Sequence, residues 1–451
     1  MTEQDTAAER VVIIGAGLAG CLLATLLARR GLQVTVYERR EDPRTAAPER
    51  GRSINLAISA RGLEALDQVG LRELSLSRAL PMHGRMVHSR DGQQSFRPYS
   101  ADGMQAINSI SRAELNIALL DVAERTPGVT VDFGRRLADL DMATGEMTFE
   151  TSGRRRRARA DIVLAADGAY SAARRSVTFR QGFTFSQDYL EHGYKELSVP
   201  ARDGDFALDP DALHIWPRGS SMMIALPNLD RSFTCTLFWT QGEFAALQGP
   251  EQIREHFRQQ YPDVAGLIPG LADDYPLNPV GSLATIRCWP WVHQGAGCTL
   301  ALVGDAAHAI VPFYGQGANC AFEDCIEIDR CLSQTGGNWT EALAAYQQHR
   351  KGNCDAIADM ALDNFIEMRD RVNSRVFQAK TAARHALERR LAGRYVSQYE
   401  LVSFSTVPYA QIHDRIRRQD QATALAAGAA GLALAGLLAA ASARGKRRRN
   451  P

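Results

Sequence analysis

The sequence predicts a mixed α/β protein with an inserted antiparallel β-sheet and a C-terminal helical region. Three observations predict this class. An apolar strand-like run, a glycine-rich turn, a helix-period segment and a second apolar run follow one another over residues 11–38. The middle of the chain carries β-branched and aromatic runs broken by Pro, Gly and Asn. From about Asn338 to Arg418, apolar residues recur at helical spacing with few glycines.

Composition sets the broad class. The 451 residues are 45% apolar and 23% charged, which is typical of a globular protein of two or three domains. The formal net charge of +1 gives no electrostatic reason to expect a nucleic-acid partner. The eight cysteines are too few for a disulfide framework, and the cluster of Cys320, Cys325 and Cys331 lacks the CxxC spacing of a zinc site. We therefore expect reduced thiols in a cytoplasmic protein and no metal.

The first strand–helix–strand unit contains the strongest local motif. Gly15, Gly17 and Gly20 form GxGxxG between the apolar run that begins at Val11 and the following helix, and Glu38 ends the next strand. The glycines permit a tight turn and a close approach of backbone amides to a pyrophosphate, whose charge the helix dipole favours. Glu38 can accept hydrogen bonds from ribose hydroxyls. The unit therefore predicts a Rossmann-like dinucleotide-binding domain, without distinguishing NAD from FAD.

Two later segments favour FAD. A buried strand runs into Asp167 in DIVLAADGAYSAARRSV. A second strand runs into Asp305 in CTLALVGDAAHAIVPFYGQGANCAFEDC, which continues through Gly315 into a helix. A carboxylate at a strand end can hold a ribityl hydroxyl, and the amides after Gly315 can face a flavin carbonyl. Each pair of residues alone is more often an ordinary turn, but three such segments in this order predict FAD.

At this point the chain resembles the single-component flavoprotein aromatic hydroxylases of the p-hydroxybenzoate hydroxylase type, over about residues 9 to 420. Within that family it is most similar to the kynurenine hydroxylases. The similarity rests on GRSINLAISARG, MHGRMVHS, HGYKELSVP, LHIWPRGSSMMIALPN, SFTCTLF, VGDAAHAIVPFYGQG, DNFIEMR and LVSFS. These strings are specific because they extend beyond the flavin motifs.

The resemblance and the motifs together give a set of expected FAD contacts. Arg112, Asp305 and Glu38 are carried over from the family. The full predicted set is Gly15, Gly17, Leu18, Ala19, Gly20, Glu38, Arg39, Ala57, Arg112, Asp167, Asp305, Gly315, Gln316, Gly317, Ala318 and Asn319. At Ala318 the chain departs from the family, in which Met is expected beside the flavin, and this affects the fine shape of the pocket.

The resemblance also implies a substrate site for L-kynurenine. Arg85, Tyr99, Asn364 and Tyr399 would face the substrate. Recognition of this amino acid needs a cation for the carboxylate and an apolar slot for the aminobenzoyl ring, and Arg85 with Tyr99 supplies the polar part. Candidate pocket walls are Leu213, Ile224, Phe238, Phe313 and Met368. Without the resemblance, each of these residues is more often an ordinary surface or core residue.

The implied reaction needs no catalytic side chain. NADPH reduces FAD, O2 adds to the reduced flavin at C4a, and the distal oxygen of this hydroperoxide is transferred to the ring carbon ortho to the amino group, giving 3-hydroxy-L-kynurenine. The protein must position the ring and exclude water, which would otherwise release hydrogen peroxide. We therefore assign no catalytic role to His192, His214 or His308. The chain lacks a second GxGxxG, and NADPH is implied by the resemblance alone.

Two other functions stay open from sequence. One is a related flavin enzyme that acts on another aromatic amino acid or aminobenzoyl compound; a halogenase is disfavoured because the chain lacks a WxWxIP-like segment. The other is a flavin-containing binding module without catalysis, which the intact run from Pro312 to Gly317 disfavours. Substrate-stimulated consumption of NADPH separates these alternatives. The oligomeric state is left open.

The organisation of the chain is predicted as follows. The predicted FAD-binding domain comprises residues 9–86, 104–178 and 295–337, and the predicted β-sheet substrate domain comprises residues 87–103 and 179–294. A helical domain follows over residues 338–420, and an Ala-rich tail over residues 421–451. The run from Arg154 to Arg157 is expected to be a solvated hairpin turn. In the tail, the stretch from Ala422 to Ala443 carries no charge and is followed by Arg and Lys. It is either a membrane-associating segment or a solvated helix.

Overall fold

The protein has a mixed α/β fold, as the sequence predicts. The computed structural model describes residues 9–46, 55–100, 102–151, 153–366, 368, 396–423 and 425. The predicted helical region is therefore described except at residues 367 and 369–395, and nearly all of the Ala-rich tail lies outside the described residues.

The described strands form four sheets. In chain order they are β1 (Val11–Ile14), β2 (Val34–Tyr37), β3 (Leu56–Ile58), β4 (Leu80–Met82), β5 (Gly84–His88), β6 (Gln94–Pro98), β7 (Ile107–Ile110), β8 (Val129–Asp132), β9 (Arg136–Asp141), β10 (Glu146–Thr151), β11 (Arg154–Arg159), β12 (Ile162–Ala165), β13 (Thr184–Val199), β14 (Ala212–Arg218), β15 (Ser221–Pro227), β16 (Phe233–Thr240), β17 (Gly281–Trp289), β18 (Val292–Gln294) and β19 (Thr299–Leu302).

The helices lie between the strands along the chain and make up most of its C-terminal part. In chain order they are α1 (Leu18–Arg29), α2 (Ala60–Gln68), α3 (Arg72–Ser77), α4 (Arg112–Arg125), α5 (Ala172–Arg175), α6 (Gln241–Ala246), α7 (Pro250–Gln260), α8 (Leu271–Leu277), α9 (Asp305–His308), α10 (Gly317–Gln334) and α11 (Trp339–Ile366). Short 3-10 turns lie at Ala265–Leu267 and Pro312–Tyr314. Helices at Gln398–Phe404 and over 409–423 follow.

A six-stranded sheet has the order β18–β19–β12–β1–β2–β8, and all its pairs are parallel except β18–β19. Strands β1 and β12 consist of fully buried apolar residues, as parallel strands covered on both faces require. Helix α1 is also buried over nearly its whole length, and Gly31, at a φ of +85°, follows its end. The predicted strand–helix–strand unit is therefore confirmed.

A seven-stranded sheet has the order β17–β13–β16–β15–β14–β5–β6. Its pairs are antiparallel except β14–β5, which is parallel. The middle of the chain therefore forms the predicted antiparallel layer, and β5 and β6 join it from an earlier part of the chain. The division into domains by residue range stays a prediction.

Two three-stranded sheets complete the structure, with the orders β3–β7–β4 and β11–β10–β9. The expectation of a hairpin turn at Arg154–Arg157 is wrong, because these residues form the first part of β11 and pair with β10. A strand of exposed arginines forms here because β11 is an edge strand, and Met147 and Phe149 of β10 supply the buried apolar face. The turn itself lies at Gly153, at a φ of +77°.

The C-terminal helices pack on the parallel sheet. The side chain of Tyr346 on α11 donates a hydrogen bond to the Leu302 carbonyl of β19, at 3.0 Å. Tyr409, Ile412 and Val402 are fully buried in the same core. Among the described residues, no helix combines the length and the apolar character needed to cross a bilayer.

Candidate flavin and substrate sites

Four predicted cofactor segments meet at one edge of the parallel sheet. Strands β2, β1, β12 and β19 end at this edge and lead respectively into Glu38, Gly15, Asp167 and Asp305. Parallel strands place their carboxyl ends together, so these four positions lie side by side along the sheet. Such a crevice is where open α/β sheets bind dinucleotides.

The turn between β1 and α1 requires glycine at two positions. Gly15 has a φ of +104°, and a Cβ there would lie 2.6 Å from the Ala166 carbonyl oxygen. A Cβ on Gly20 would lie 1.9 Å from the Gly15 carbonyl oxygen. Gly17 caps α1, and a Cβ there would meet nothing within 4 Å. The first turn of α1 contains no acidic residue and no side-chain cap, so its amides are open to an anion.

Glu38 is a buried, ionised acceptor at the end of β2. One carboxylate oxygen accepts from the Ala16 amide at 2.8 Å, and the other accepts from the backbone amide and Nε of Arg40 at 3.0 and 2.9 Å. Burial favours the neutral acid, but the bonds from Arg40 and Ala16 outweigh this effect and lower the pKa of Glu38. A carboxylate fixed in this way can accept ribose hydroxyls.

Asp167 leaves a buried acceptor without a partner. Its Oδ2 accepts from the amides of Ala172 and Ala173 at 2.7 and 3.1 Å, whereas its buried Oδ1 has no hydrogen-bond partner among the described residues. Burial raises the pKa of Asp167. Asp305 begins α9 and is exposed. A hydroxyl donor from a ligand at this edge would satisfy the orphaned oxygen.

The segment before α10 forms a second cradle. Gly315 is in the left-handed region at a φ of +64°, and the Asn319 side chain donates to the Gly315 and Ala57 carbonyls at 2.8 and 2.9 Å. Asn319 Oδ1 accepts from the Ser59 amide at 3.1 Å. Helix α10 also begins without an acidic residue or a side-chain cap. The backbone amides at its N-terminus are therefore free to donate to an anion or to a carbonyl oxygen, as those of α1 are.

The two helix N-termini lie close together. A Cβ on Gly304 would lie 3.0 Å from the Ala321 Cβ of α10 and 3.8 Å from the Ala19 Cβ of α1. Of the other predicted cofactor residues, Leu18 and Gln316 are buried, Ala318 is half-buried, and Arg39 and Arg112 are exposed. Arg112 begins α4, and its side chain makes no hydrogen bond or ion pair with a described residue.

These features fit a flavin dinucleotide. The glycine turn at α1 is suited to a pyrophosphate, Glu38 to a ribose, Asp167 and Asp305 to ribityl hydroxyls, and the α10 N-terminus to a flavin carbonyl. The individual contacts stay predictions.

The predicted carboxylate-binding residues come together on the seven-stranded sheet. The Arg85 guanidinium lies 4.5 Å from the ring centroid of Tyr399 and 5.8 Å from that of Tyr99, and the two rings stack at 4.7 Å. Burial raises the pKa of Tyr99, so its hydroxyl stays protonated and can donate. That hydroxyl is buried and makes no hydrogen bond with a described residue. The arrangement presents a cation and a phenol to an anionic group.

Two predicted wall residues line the same cluster. Leu213 pairs with Arg85 in the β14–β5 register, and Ile224 lies on the neighbouring β15. Both pack, with Tyr399 and Ala57, against the buried Met82, Tyr99, Ile107 and Leu226. Because Ala57 is a predicted flavin contact, this cluster joins the Arg85 site to the flavin side of the molecule.

The other predicted substrate residues form a second group. Asn364 donates to the Phe313 carbonyl at 2.7 Å and to the Met368 sulfur at 3.4 Å. Phe313 stacks on Phe365 at 4.1 Å and contacts Phe238 at 5.0 Å. Phe313 directly precedes the second cradle in the chain, so this group forms an aromatic wall next to the flavin segment.

Sequence reasoning missed one residue beside Arg85. Arg97 lies directly opposite Arg85 in the β5–β6 register, so both side chains leave the same face of the sheet. The Arg97 side chain is half-buried and makes no hydrogen bond or ion pair with a described residue. Burial and the Arg85 charge lower the pKa of Arg97. The period-2 alternation of FRPY, which places Arg97 on the face of Tyr99, was the available signal.

The three histidines to which we assigned no catalytic role have structural partners. His308 Nε2 lies 2.5 Å from Asp324 Oδ2, and His192 Nε2 lies 2.7 Å from the Ser220 carbonyl. His214 Nδ1 lies 2.8 Å from His88 Nε2.

The chain matches the model of the FAD binding domain family over residues 8–361. It is 47% identical to kynurenine 3-monooxygenase of Myxococcus xanthus, with 89% of this chain and 87% of that protein covered. It is 44% identical to the Salinispora tropica protein of the same name, with 98% of each covered. The chain belongs to the kynurenine 3-monooxygenase family.

A solved structure of an oxygenase has a fold similar to that of this chain. The tetrameric form of 2-methyl-3-hydroxypyridine-5-carboxylic acid oxygenase superposes with a TM-score of 0.65 at 20% identity, covering 88% of this chain and 95% of that one. At this identity, the likeness concerns the fold alone.

Proposed function

We propose that the protein is an FAD-dependent monooxygenase that converts L-kynurenine to 3-hydroxy-L-kynurenine with NADPH and O2. The observation that carries the substrate assignment is the Arg85 guanidinium beside the stacked rings of Tyr99 and Tyr399, which share one apolar cluster with Ala57 of the flavin side. The membership of the kynurenine 3-monooxygenase family supports it.

The polar end of the site suits an amino acid carboxylate. Arg85 offers a forked guanidinium that can bind a carboxylate through two parallel hydrogen bonds. The Tyr99 hydroxyl is a neutral donor beside it. The aromatic rings around Arg85 exclude water, which strengthens the attraction between the guanidinium and an anion. We propose that Arg85 and Tyr99 hold the carboxylate and that Asn364 and Tyr399 complete the polar contacts.

The apolar side suits the aminobenzoyl ring. Leu213 and Ile224 border the Arg85 cluster, and Phe238 and Phe313 form the aromatic wall that precedes the second cradle. Bound FAD, once reduced by NADPH, would supply the activation of O2. This chemistry needs no acid or base from the chain. The side chains then have two tasks, which are to fix the ring carbon next to the amino group and to keep water away.

Arg97 strengthens the preference for an anion. Two like charges directly opposite on a sheet destabilise each other, and no described carboxylate pairs with Arg97. A bound carboxylate relieves that repulsion. We therefore propose that Arg97 attracts the substrate carboxylate at longer range than Arg85 and contributes less to its binding.

The decisive experiment is NADPH consumption by the FAD-loaded protein with and without L-kynurenine, combined with identification of the product by mass spectrometry. We expect L-kynurenine to stimulate consumption and 3-hydroxy-L-kynurenine to accumulate. Stimulation without hydroxylated product would indicate a ligand that uncouples the enzyme, and stimulation only by another aromatic amino acid would overturn the substrate assignment. No stimulation by any such compound would favour the binding module.

We also propose that the Ala-rich tail after Gln421 governs any membrane association, because it lies beyond every flavin and substrate motif. Its uncharged stretch and the arginines and lysine that follow support an interfacial role.

A further inference from the structure

Two cysteines outside the flavin and substrate sites lie within reach of one another. The sulfurs of Cys320 on α10 and Cys354 on α11 are 3.5 Å apart, and both side chains are buried. The sequence placed Cys320 in a cluster with Cys325 and Cys331, but the fold instead pairs it with a cysteine on the next helix. All eight cysteines are free thiols.

The surroundings favour a thiolate at Cys320. Arg350 is buried, and its Nη2 lies 3.2 Å from the Cys320 sulfur and 3.7 Å from the Cys354 sulfur. The hydrogen bond from Cys354, together with the nearby His308 and Arg350 charges, outweighs burial and lowers the pKa of Cys320 below its usual value. Every other cysteine for which a pKa shift is resolved has a raised pKa, as burial dictates. Cys320 is therefore the strongest candidate nucleophile among the thiols.

The structure assigns a redox modification site to this pair: we propose that hydrogen peroxide converts Cys320 and Cys354 into a disulfide that joins α10 to α11. The sulfurs must close by about 1.5 Å to reach the length of a disulfide bond. The pair lies directly behind the second flavin cradle, since Cys320 follows Asn319 in the chain. Peroxide is the oxidant that a flavin monooxygenase releases when water enters its site, so the oxidant would arise next to the pair.

The reaction proceeds in two balanced steps. The Cys320 thiolate attacks one peroxide oxygen, an S–O bond forms, the O–O bond breaks, and the hydroxide that leaves takes up a proton as water. The Cys354 sulfur then attacks the sulfenic sulfur, the S–S bond forms, and the second hydroxide leaves with the Cys354 proton as water. Two thiols lose two electrons and one peroxide is reduced to two waters.

The same residues could be mistaken for a metal site, because the His308, Cys320 and Cys354 ligand atoms lie within 4.8 Å of one another. One contact argues against a metal. The Arg350 guanidinium lies 3.2 Å from the Cys320 sulfur, where it would repel a cation.

The test treats the FAD-loaded protein with hydrogen peroxide at neutral pH, quenches with iodoacetamide under denaturing conditions, and maps the cysteines by mass spectrometry. We expect a peptide cross-linked through Cys320 and Cys354 that is two hydrogens lighter than the two thiol peptides and is released by dithiothreitol. We expect it to form at least about tenfold faster than any other cysteine is oxidised. A bulky aromatic disulfide reagent should leave both sulfurs unmodified in the native protein, because they are buried.

Two variants define the pairing. In Cys354→Ser, we expect no cross-link and a sulfenic acid at Cys320 that dimedone traps. Cys325→Ala is the matched control, because Cys325 is buried on the same helix and, among the described residues, its sulfur donates to the carbonyls of Ala19 and Ala321 and not to another cysteine. In this variant the cross-link should form as in the wild type. Any of three results would overturn the proposal. These are alkylation of both Cys320 and Cys354 after peroxide treatment, a cross-link through another cysteine, and one equivalent of bound zinc in elemental analysis.

Discussion

At the scale of single residues, the proposed substrate site contains a cation beside two aromatic rings. Arg85 is approached by Tyr399 and Tyr99, whose rings limit its hydration. A guanidinium that is poorly hydrated gains more from a bound carboxylate than one at the surface does. We therefore expect the selectivity of the proposed site for an amino acid to depend on Arg85.

We predict that Arg85→Met weakens L-kynurenine binding without releasing FAD. A hydrogen bond to a charged group contributes about 1.5–3 kcal/mol, so substrate affinity should fall by about one to two powers of ten. Stopped-flow reduction of the flavin by NADPH, with and without L-kynurenine, measures both affinity and stimulation. Wild-type affinity in this variant would remove Arg85 from the site.

Arg97→Gln should have a smaller effect that depends on the substrate carboxylate. We expect the KM for L-kynurenine to rise by about two- to tenfold with little change in kcat, because a half-buried charge acts across a longer distance than Arg85. The amine formed by removing the carboxylate from kynurenine is the control substrate, and its KM should stay unchanged. Equal effects on the two compounds would show that Arg97 acts on packing and not on the carboxylate. Arg97→Lys should restore most of the affinity.

At the scale of elements, the start of α1 tests the cofactor assignment. We predict that Gly20→Ala destabilises the protein, because the new Cβ would lie 1.9 Å from the Gly15 carbonyl oxygen. Gly17→Ala is the matched control, since its Cβ meets nothing within 4 Å. Thermal unfolding of the flavin-free proteins should show a lower Tm for Gly20→Ala alone. If Gly17→Ala then binds FAD more weakly, the loss arises from contact with the cofactor and not from the fold.

A buried ionic network ties the flavin segments to the C-terminal helices. Asp324 on α10 accepts from the Gly304 amide at 2.9 Å, from Arg350 Nε at 2.7 Å and lies 2.5 Å from His308. All three charged side chains are buried. Removing one partner leaves the others buried and uncompensated, so the network contributes to stability only while it is complete.

We predict that Asp324→Asn lowers the free energy of unfolding by about 3–5 kcal/mol. The substitution should also change the pH dependence of the free energy of unfolding. Burial opposes ionisation of Asp324, but His308 and Arg350 outweigh it and lower the pKa of Asp324 in the folded protein. The ionised carboxylate therefore contributes fully to stability above the pKa of the unfolded state, about 4, and this contribution is lost as the pH falls through the lower pKa of the folded state. Burial likewise opposes protonation of His308, but Asp324 outweighs it and raises the pKa of His308 in the folded protein. The protonated imidazole therefore contributes fully to stability below about pH 6.5, the pKa of the unfolded state, and this contribution is lost as the pH rises through the higher pKa of the folded state. Urea unfolding across the pH range should show both losses in the wild type and neither in the variant.

At the scale of the whole molecule, the chain combines a largely parallel six-stranded sheet, a largely antiparallel seven-stranded sheet and C-terminal helices. The two sheets meet where Phe238 of β16 contacts Phe313, which precedes the second cradle. This contact places the aromatic wall beside the flavin segments.

Removal of the residues after Gln421 should change membrane partitioning and leave turnover in detergent nearly unchanged. The segment from Ala422 to Ala443 is uncharged, and the basic residues that follow it would favour an anionic membrane surface. Fractionation of cells that express the full-length and truncated proteins measures the effect. Identical partitioning of the two proteins would show that the tail is a solvated extension.

Local signals were sufficient for the first unit of the fold and for the cofactor. The apolar run Val11–Ile14 is β1 residue for residue, and the glycine spacing predicted the turn because a Cβ at Gly20 would overlap the Gly15 carbonyl within the same short segment. The run Arg154–Arg157 was mistaken for a turn, because its strand pairing with β10 is a property of the sheet edge and not of the arginines themselves.

The sequence by itself determined the fold class, the dinucleotide-binding unit and, through the similarity of its motifs, the expected substrate residues. The tertiary structure alone decided which distant side chains meet. Arg97 faces the Arg85 site only through the β5–β6 register, and Cys320 reaches Cys354 only because α10 packs on α11. Contacts of this kind depend on the packing of elements far apart in the chain, and local residue patterns carry no information about that packing.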